Sequence, residues 1–178
     1  MKIKNLSLGL IASAALLLSA CKKEGTNSTL QIRMTDAPAS FDEVNVDLRE
    51  VNVKFATDTT GWVSLQTTPG VYNLLGLQNG VDTLIAQGNF PSNVVKEIRL
   101  VLGDNNTIKS GGQTYPLTIP SGSESGLKIK VSKDLKANLE TLLIDFDAAL
   151  SVTQETDGYK LRIATSAIRT ATRSLPRR

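Results

Sequence analysis

The chain has 178 residues, with 20 Lys and Arg against 17 Asp and Glu, no His, one Cys and 4% aromatic residues. Without an imidazole there is no Ser-His-Asp or Cys-His nucleophile and no haem-His ligation, and a single thiol excludes an internal disulfide and a Cys-rich zinc site. Hydrophobic content of 40% with 21% charged residues describes a globular chain of about one domain.

Lys2 and Lys4 precede an apolar run over residues 6–20 that ends at Cys21. A charged start and a short apolar stretch form a secretory signal peptide, too short to cross a bilayer of about 30 Å. Leu18-Ser19-Ala20-Cys21 resembles the bacterial lipobox. That resemblance implies removal of residues 1–20 and lipidation of Cys21 by diacylglycerol and a further acyl chain such as palmitate, enough for stable anchorage. Lys22 stands where an Asp would resemble an inner-membrane retention signal, so the expected location is the outer membrane.

Without Lys2 and Lys4 there is one more basic residue than acidic, and Arg169, Arg173, Arg177 and Arg178 all fall in the last ten positions. The basic balance therefore comes from a C-terminal tail, residues 169–178, rather than from a stripe on the folded body. Nucleic acid is not an expected partner.

Residues 25–29 are small and polar, and residues 21–29 read as a lipidated tether. A single domain is expected over residues 30–168. Leu30, Ile32 and Met34 alternate with polar residues, as do Val44, Val46 and Leu48, which is the pattern of strands half buried against a core. Val51, Val53 and Phe55 continue in the opposite phase, which predicts a bulge near Arg49 and Glu50 and a change of sheet there. A short strand follows over 62–65, and 71–77 is an apolar segment closed by Asn79-Gly80. Ile98, Leu100 and Leu102 form another strand, which Gly103-Asp104-Asn105-Asn106 is expected to turn back.

Ser110-Gly111-Gly112 turns into Tyr115, Leu117 and Ile119, a segment that Pro116 and Pro120 assign to a sheet edge. Leu127, Ile129 and Val131 alternate, residues 133–140 read as a short helix, and Leu142, Ile144 and Phe146 alternate again. Asp157-Gly158 signals a hairpin before Tyr159, Leu161 and Ile163. The predicted class is all-β: an antiparallel β-sandwich of Greek-key, immunoglobulin-like or transthyretin-like type with at most one short helix.

Several segments occur together in order: Thr35-Asp36-Ala37-Pro38, Gly76-Leu77-Gln78-Asn79-Gly80, Glu97-Ile98-Arg99-Leu100, Pro120-Ser121-Gly122 with Ser125-Gly126-Leu127-Lys128, and Asp145-Phe146-Asp147-Ala148 with Ser151. Over about residues 29–168 the chain resembles the bacterial lipoprotein domain-of-unknown-function family 4382. The resemblance implies a secreted, lipid-anchored β domain and supplies no catalytic residues. Where the family often carries Gly-x-Tyr, this chain has Ser92-Asn93-Val94-Val95.

Asp145 and Asp147, about 7 Å apart on one face of a strand, are the sharpest candidates for a calcium ligand pair or an acid and base. An outward, solvated face is the preferred reading. Asp36 and Asp42 would add oxygens only if the fold brought their loop to that strand. Asp104-Asn105-Asn106 lacks the spacing of an EF-hand. Ser125 to Lys128 matches Ser-x-x-Lys, but that motif needs a helix and the pattern here is strand. The glycine-bearing stretch 121–126 reads as a hairpin loop rather than an anion nest. Trp62, Tyr72 and Tyr115 are the candidates for a sugar platform, with core packing preferred.

The expectation is an outer-membrane lipoprotein, not an enzyme, with no cofactor, no metal and no catalytic residue. Its partners would be the membrane through the Cys21 lipid and an envelope protein or glycan. The alternatives are a structural or adhesive, fimbrial-like subunit, and a carboxylate-based glycan hydrolase.

Overall fold

Alternate residues of a strand face opposite sides, so Leu30, Ile32 and Met34 point inward together, and all three are buried. The structure, a computed structural model, describes residues 27–57, 61–91, 93–120, 125–135, 138–161 and 168–172. The strands are β1 (Asn27–Thr35), β2 (Glu43–Phe55), β3 (Val63–Ser64), β4 (Gln66–Thr67), β5 (Gly70–Asn73), β6 (Thr83–Pro91) and β7 (Val94–Leu102). They continue with β8 (Thr107–Ser110), β9 (Gln113–Thr118), β10 (Leu127–Asp134), β11 (Asn138–Phe146), β12 (Val152–Glu155), β13 (Gly158–Leu161) and β14 (Ile168–Thr172). A four-residue helix, α1 (Ala148–Ser151), and one 3-10 turn (Leu74–Leu77) complete the described elements.

The protein is thus mostly β, and its sheets pack as a sandwich. One sheet has the order β14-β11-β1-β6-β4; the other runs β10-β7-β2-β8-β9-β13-β12, with β3 and β5 also on β2. Between them lie the side chains expected inside, Ile98, Leu100, Ile129, Ile144 and Phe146, all buried. Ile163 lies outside the described residues. Most pairs are antiparallel, but β1 lies parallel to β11 and β9 parallel to β13.

Several details differ from the sequence expectation. The register of β2 against β7 does shift between Leu48 and Glu50, yet β2 remains in one sheet throughout its 13 residues. The change of sheet occurs instead between β3, which pairs with β2, and β4, which pairs with β6. Of residues 133–140, the described ones form no helix: β10 extends to Asp134 and β11 starts at Asn138, and residues 136–137 lie outside the described residues. The Leu135 amide donates to the Asn93 carbonyl at 2.7 Å, and Leu135 is buried, so its apolar side chain serves a strand end rather than a helix face. The one α turn comes later, capped by the Asp147 side chain.

Residues 103–106 do not reverse the chain. β7 and β8 both run antiparallel to β2, one after the other along it, so the loop is a jog between collinear strands. Asp47, 2% exposed, holds that jog. Its amide donates to Asn106 Oδ1 at 2.8 Å, its carbonyl accepts from Gly103 N–H at 2.7 Å, and its carboxylate accepts from Asn105 N–H at 3.2 Å and from Arg49 at 2.7 Å. A Cβ on residue 103 would lie 2.5 Å from Asp47 Oδ2, so the close approach requires glycine.

β9 is not an edge strand. It pairs with β8 through a two-residue Gly111-Gly112 turn at positive φ, and with β13 on its other side, where the register begins at Leu117, past the proline that lacks an N–H. β12 and β13 form the expected hairpin. At the ends, β1 begins at Asn27 within the stretch assigned to the tether, and β14 takes Arg169 and its neighbours out of the expected tail into register with β11.

Candidate functional site

The loop 36–42 joins β1 to β2 at one pole of the sandwich. β2 then runs about 40 Å to the opposite pole, where Phe55 packs against Phe90 at 4.9 Å between ring centroids and Asn27 pairs with Pro91. At the Thr35 pole three of the motif segments meet. The Thr35 hydroxyl lies 2.8 Å from the Leu77 carbonyl and 2.7 Å from that of Val81, Asp36 N–H donates to Leu77 O, and Gln78 Nε2 donates to Ala37 O at 3.4 Å. Parallel pairing sets Thr35 opposite Asp145, and Asp36 Oδ1 accepts the Ala148 amide at 2.9 Å.

The fold therefore does bring Asp36 to the Asp145 strand. Asp36 is 5% exposed, and burial lifts its carboxyl from 3.8 to about 6. The amides of Ala148 and Ala37 stabilise its charge and pull the other way; Asp145 and Asp147 add repulsion that raises it further. Asp145 and Asp147 are both half buried rather than solvated, since Asp145 lies on a strand flanked by β1 and β14 while Asp147 turns off the strand to cap α1. Asp36 Oδ2, Asp145 Oδ1 and Ser151 Oγ are buried without a hydrogen-bond partner among the described residues. Among those residues no three His, Cys, Asp or Glu side chains are grouped to hold a metal ion. Asp42 is exposed and accepts from Gly112 N–H at 2.9 Å, tying its loop to the β8–β9 turn.

β9 and β13 carry the second feature of this half of the molecule. Tyr159 packs edge-on against Phe41, centroids 6.0 Å apart, and against Tyr115 at 5.4 Å. All three rings are half buried on the margin of the core, and the Tyr115 hydroxyl donates to Gln113 Oε1 at 2.6 Å. Beside Tyr159 a cleft of about 470 Å³ is lined by Thr118, Glu155, Thr156 and Asp157 among others.

Of the three aromatics proposed as a sugar platform, only Tyr115 belongs here. Tyr72 packs on the core beside β2, its hydroxyl donates to Thr68 O at 2.7 Å, and burial pushes its phenol up. Trp62 is not a core residue: it is half buried, with the Arg99 guanidinium 4.9 Å from its ring centroid. Phe41 and Tyr159 escaped the sequence reading because one sits in a loop and the other on a strand whose parallel partner has no local signal. The pairing of aromatic positions across β9 and β13 becomes visible only once the register is known.

Ser125 precedes β10, and Lys128 is exposed on that strand, so Ser-x-x-Lys does not form its helical geometry. Residues 121–124 and Cys21 lie outside the described residues. Among the described residues no helix is long and apolar enough to cross a membrane. Comparison with curated proteins and with solved structures yields no match. A family model does match residues 27–162, which span β1 to β13, and by that match the chain belongs to the family described as a domain of unknown function, DUF4382.

Proposed function

We propose that the protein is a lipid-anchored envelope lipoprotein, held at Cys21, whose sandwich binds a glycan or a partner protein without transforming it. The observation that carries the binding half of this reading is the Phe41, Tyr159 and Tyr115 row beside its polar cleft. Aromatic faces stack on the apolar faces of sugars, and hydroxyl and carboxylate groups at the rim accept and donate to their hydroxyls. Anchorage rests on the lipobox-like Leu18 to Cys21.

Two competing readings find less support. The glycan-hydrolase reading rests on Asp145 or Asp147 standing in a cleft, and neither lines the one beside Tyr159. The carboxylates that do, Glu155 and Asp157, are both exposed on one hairpin, with Glu155 3.4 Å from Lys160, rather than facing each other across a buried site. An adhesive subunit completed by a neighbour needs an open strand edge. Of the strands at the described sheet ends, β10 carries Lys128, Lys130 and Lys133 and a register shift, while β4, β12 and β14 are only two, four and five residues long, and all of these features discourage pairing with another chain.

The test uses the full chain carrying Cys21→Ser, titrated with fragments of its host's envelope glycans and followed by tyrosine-ring NMR signals. Binding that shifts Tyr159 and Tyr115 and is lost in Tyr159→Ala, with the fold retained, supports the reading. Saturable binding unaffected by Tyr159→Ala places the ligand elsewhere.

A further inference from the structure

The two poles differ in charge. Around the Thr35 pole and the Tyr159 cleft stand Asp36, Asp42, Asp145, Asp147, Glu155 and Asp157, and each cation near them has an acid as its pair or register partner: Arg33 pairs with Asp82, Arg169 lies opposite Asp145 in register, and Lys109 and Lys160 sit 3.6 Å from Glu43 and 3.4 Å from Glu155. Toward the Asn27 pole the balance reverses. A groove of about 470 Å³ is bounded there by Lys54, Lys96, Lys130 and Glu97 over Phe55 and Val131. None of the three lysines makes an ion pair with another described residue, whereas Lys133 at the same end is tied to Glu140 at 2.8 Å.

Strand register shows why the cations share a face. Lys130 lies opposite Glu97, and Glu97 opposite Lys54; in the next row Lys128 lies opposite Arg99. The outer face of β10, β7 and the end of β2 thus presents Lys54, Lys96, Lys128, Lys130 and Arg99 against Glu97 and Asp134. A second groove of about 330 Å³, partly apolar, opens next to it between Phe55, Val63, Phe90 and Pro91.

The position of β1 decides what this pole meets. β1 starts there, Asn27 pairing with Pro91. Six peptide units separate Cys21 from Asn27. At full extension they reach about 20 Å. On that short link Lys22 and Lys23 add further positive charge against Glu24.

We propose that the Asn27 pole is the membrane-facing surface of the domain and rests, through Lys54, Lys96 and Lys130, on the acidic phospholipid headgroups of the bilayer. The inference builds on anchorage at Cys21, since a short link places this pole within reach of the headgroups. Charge complementarity then fixes the orientation: the basic pole is attracted and the acidic pole repelled. The Tyr159 cleft is thereby turned outward, about one β2 length from the bilayer.

The experiment reconstitutes the full lipidated protein in vesicles of phosphatidylcholine with phosphatidylglycerol, and in phosphatidylcholine alone, and labels amines for mass spectrometry. Lys54, Lys96 and Lys130 should label several-fold more slowly on the acidic vesicles and recover in high salt, while Lys109 and Lys160 label equally on both. Replacing the three lysines by Gln should weaken capture of the unlipidated Cys21→Ser chain by acidic vesicles, by about fivefold per lysine. Equal labelling at both poles, or protection of Lys109 and Lys160 instead, overturns the proposal. So does protection of the three lysines by a soluble acidic glycan but not by vesicles, which would make a glycan their partner. The mass of Cys21 in the wild type reports anchorage separately. If it is unmodified, anchorage fails, and vesicle protection of the Cys21→Ser chain still decides the pole.

Discussion

The carboxylate of Asp36 accepts the amide of Ala148 at 2.9 Å, joining the end of β1 to the start of α1 across 112 positions of sequence. Its other oxygen is buried without a partner, so the contact holds a carboxyl group whose charge the site resists.

That resistance has a pH signature. Asp36 titrates at about 6 in the fold against 3.8 as its ordinary value, so between these limits the folded protein keeps a proton that the unfolded chain releases. Its stabilising contribution is complete below about pH 3.8 and is lost as pH rises through about 6, a change of order 2 to 3 kcal/mol. Asp36→Asn retains an acceptor for Ala148 and removes the charge, so it should stabilise the domain at pH 8 relative to wild type and give no such gain at pH 4. Urea unfolding at the two pH values measures the difference; a variant less stable than wild type at pH 8 refutes the account.

Phe146 is 1% exposed at the end of β11. Truncation to Ala should lower stability by about 3 to 5 kcal/mol through lost burial and the cavity left behind. Equilibrium denaturation checks this, and a loss below about 1 kcal/mol would mean that the site closes around the gap or that the register is wrong.

Gly103→Ala forces a methyl group against Asp47 and should cost about 1 to 3 kcal/mol. Gly76→Ala, with nothing within 4 Å of the added carbon, is the control and should be near neutral. Because Asp47 is both the obstacle and the anchor of the jog, Gly103→Ala and Asp47→Ala should be less than additive in combination. Additive losses in thermal or chemical denaturation would show that the two residues do not interact.

Cys21→Ser should move the protein from the membrane fraction to the soluble one, because no other acyl attachment is encoded at the lipobox-like Leu18 to Cys21. Intact mass of the wild type from its own host should show residues 1–20 removed and a lipid-sized increment on Cys21. An unmodified thiol or a retained Met1 would remove the anchor from the proposal.

The alternating positions of β1, β2, β7, β10 and β11 were legible because burial of one sheet face imposes a period of two on Leu30, Ile98, Ile129 or Phe146 regardless of partner. What alternation does not encode is which strand lies alongside. The loop 103–106 has turn chemistry, yet the amides of Gly103 and Asn105 donate to Asp47 and the chain carries straight on. The spacing of Leu135 and Leu139 suits a helix, yet Leu135 directly follows β10 and Leu139 lies in β11. The approach of Asp36 to Asp145 stayed conditional on the fold because it depends on a parallel pairing between strands more than a hundred residues apart. The same dependence hid Phe41 and Tyr159 from the search for an aromatic platform.

The parallel pairing of β1 with β11 sets a schedule on the chain. Ser28 has its register partner at Asn138, and between β6 and β11 the first strand lies in the interior of its sheet. β1 can therefore pair on one flank with β6 soon after synthesis, while its other flank stays open until most of the polypeptide exists. Closing so long a loop is entropically slow, and sandwiches of this kind fold in milliseconds to seconds rather than microseconds. The same delay leaves the inner edge of β1 exposed in any truncated product, and chains that end before β11 should aggregate through that edge rather than fold.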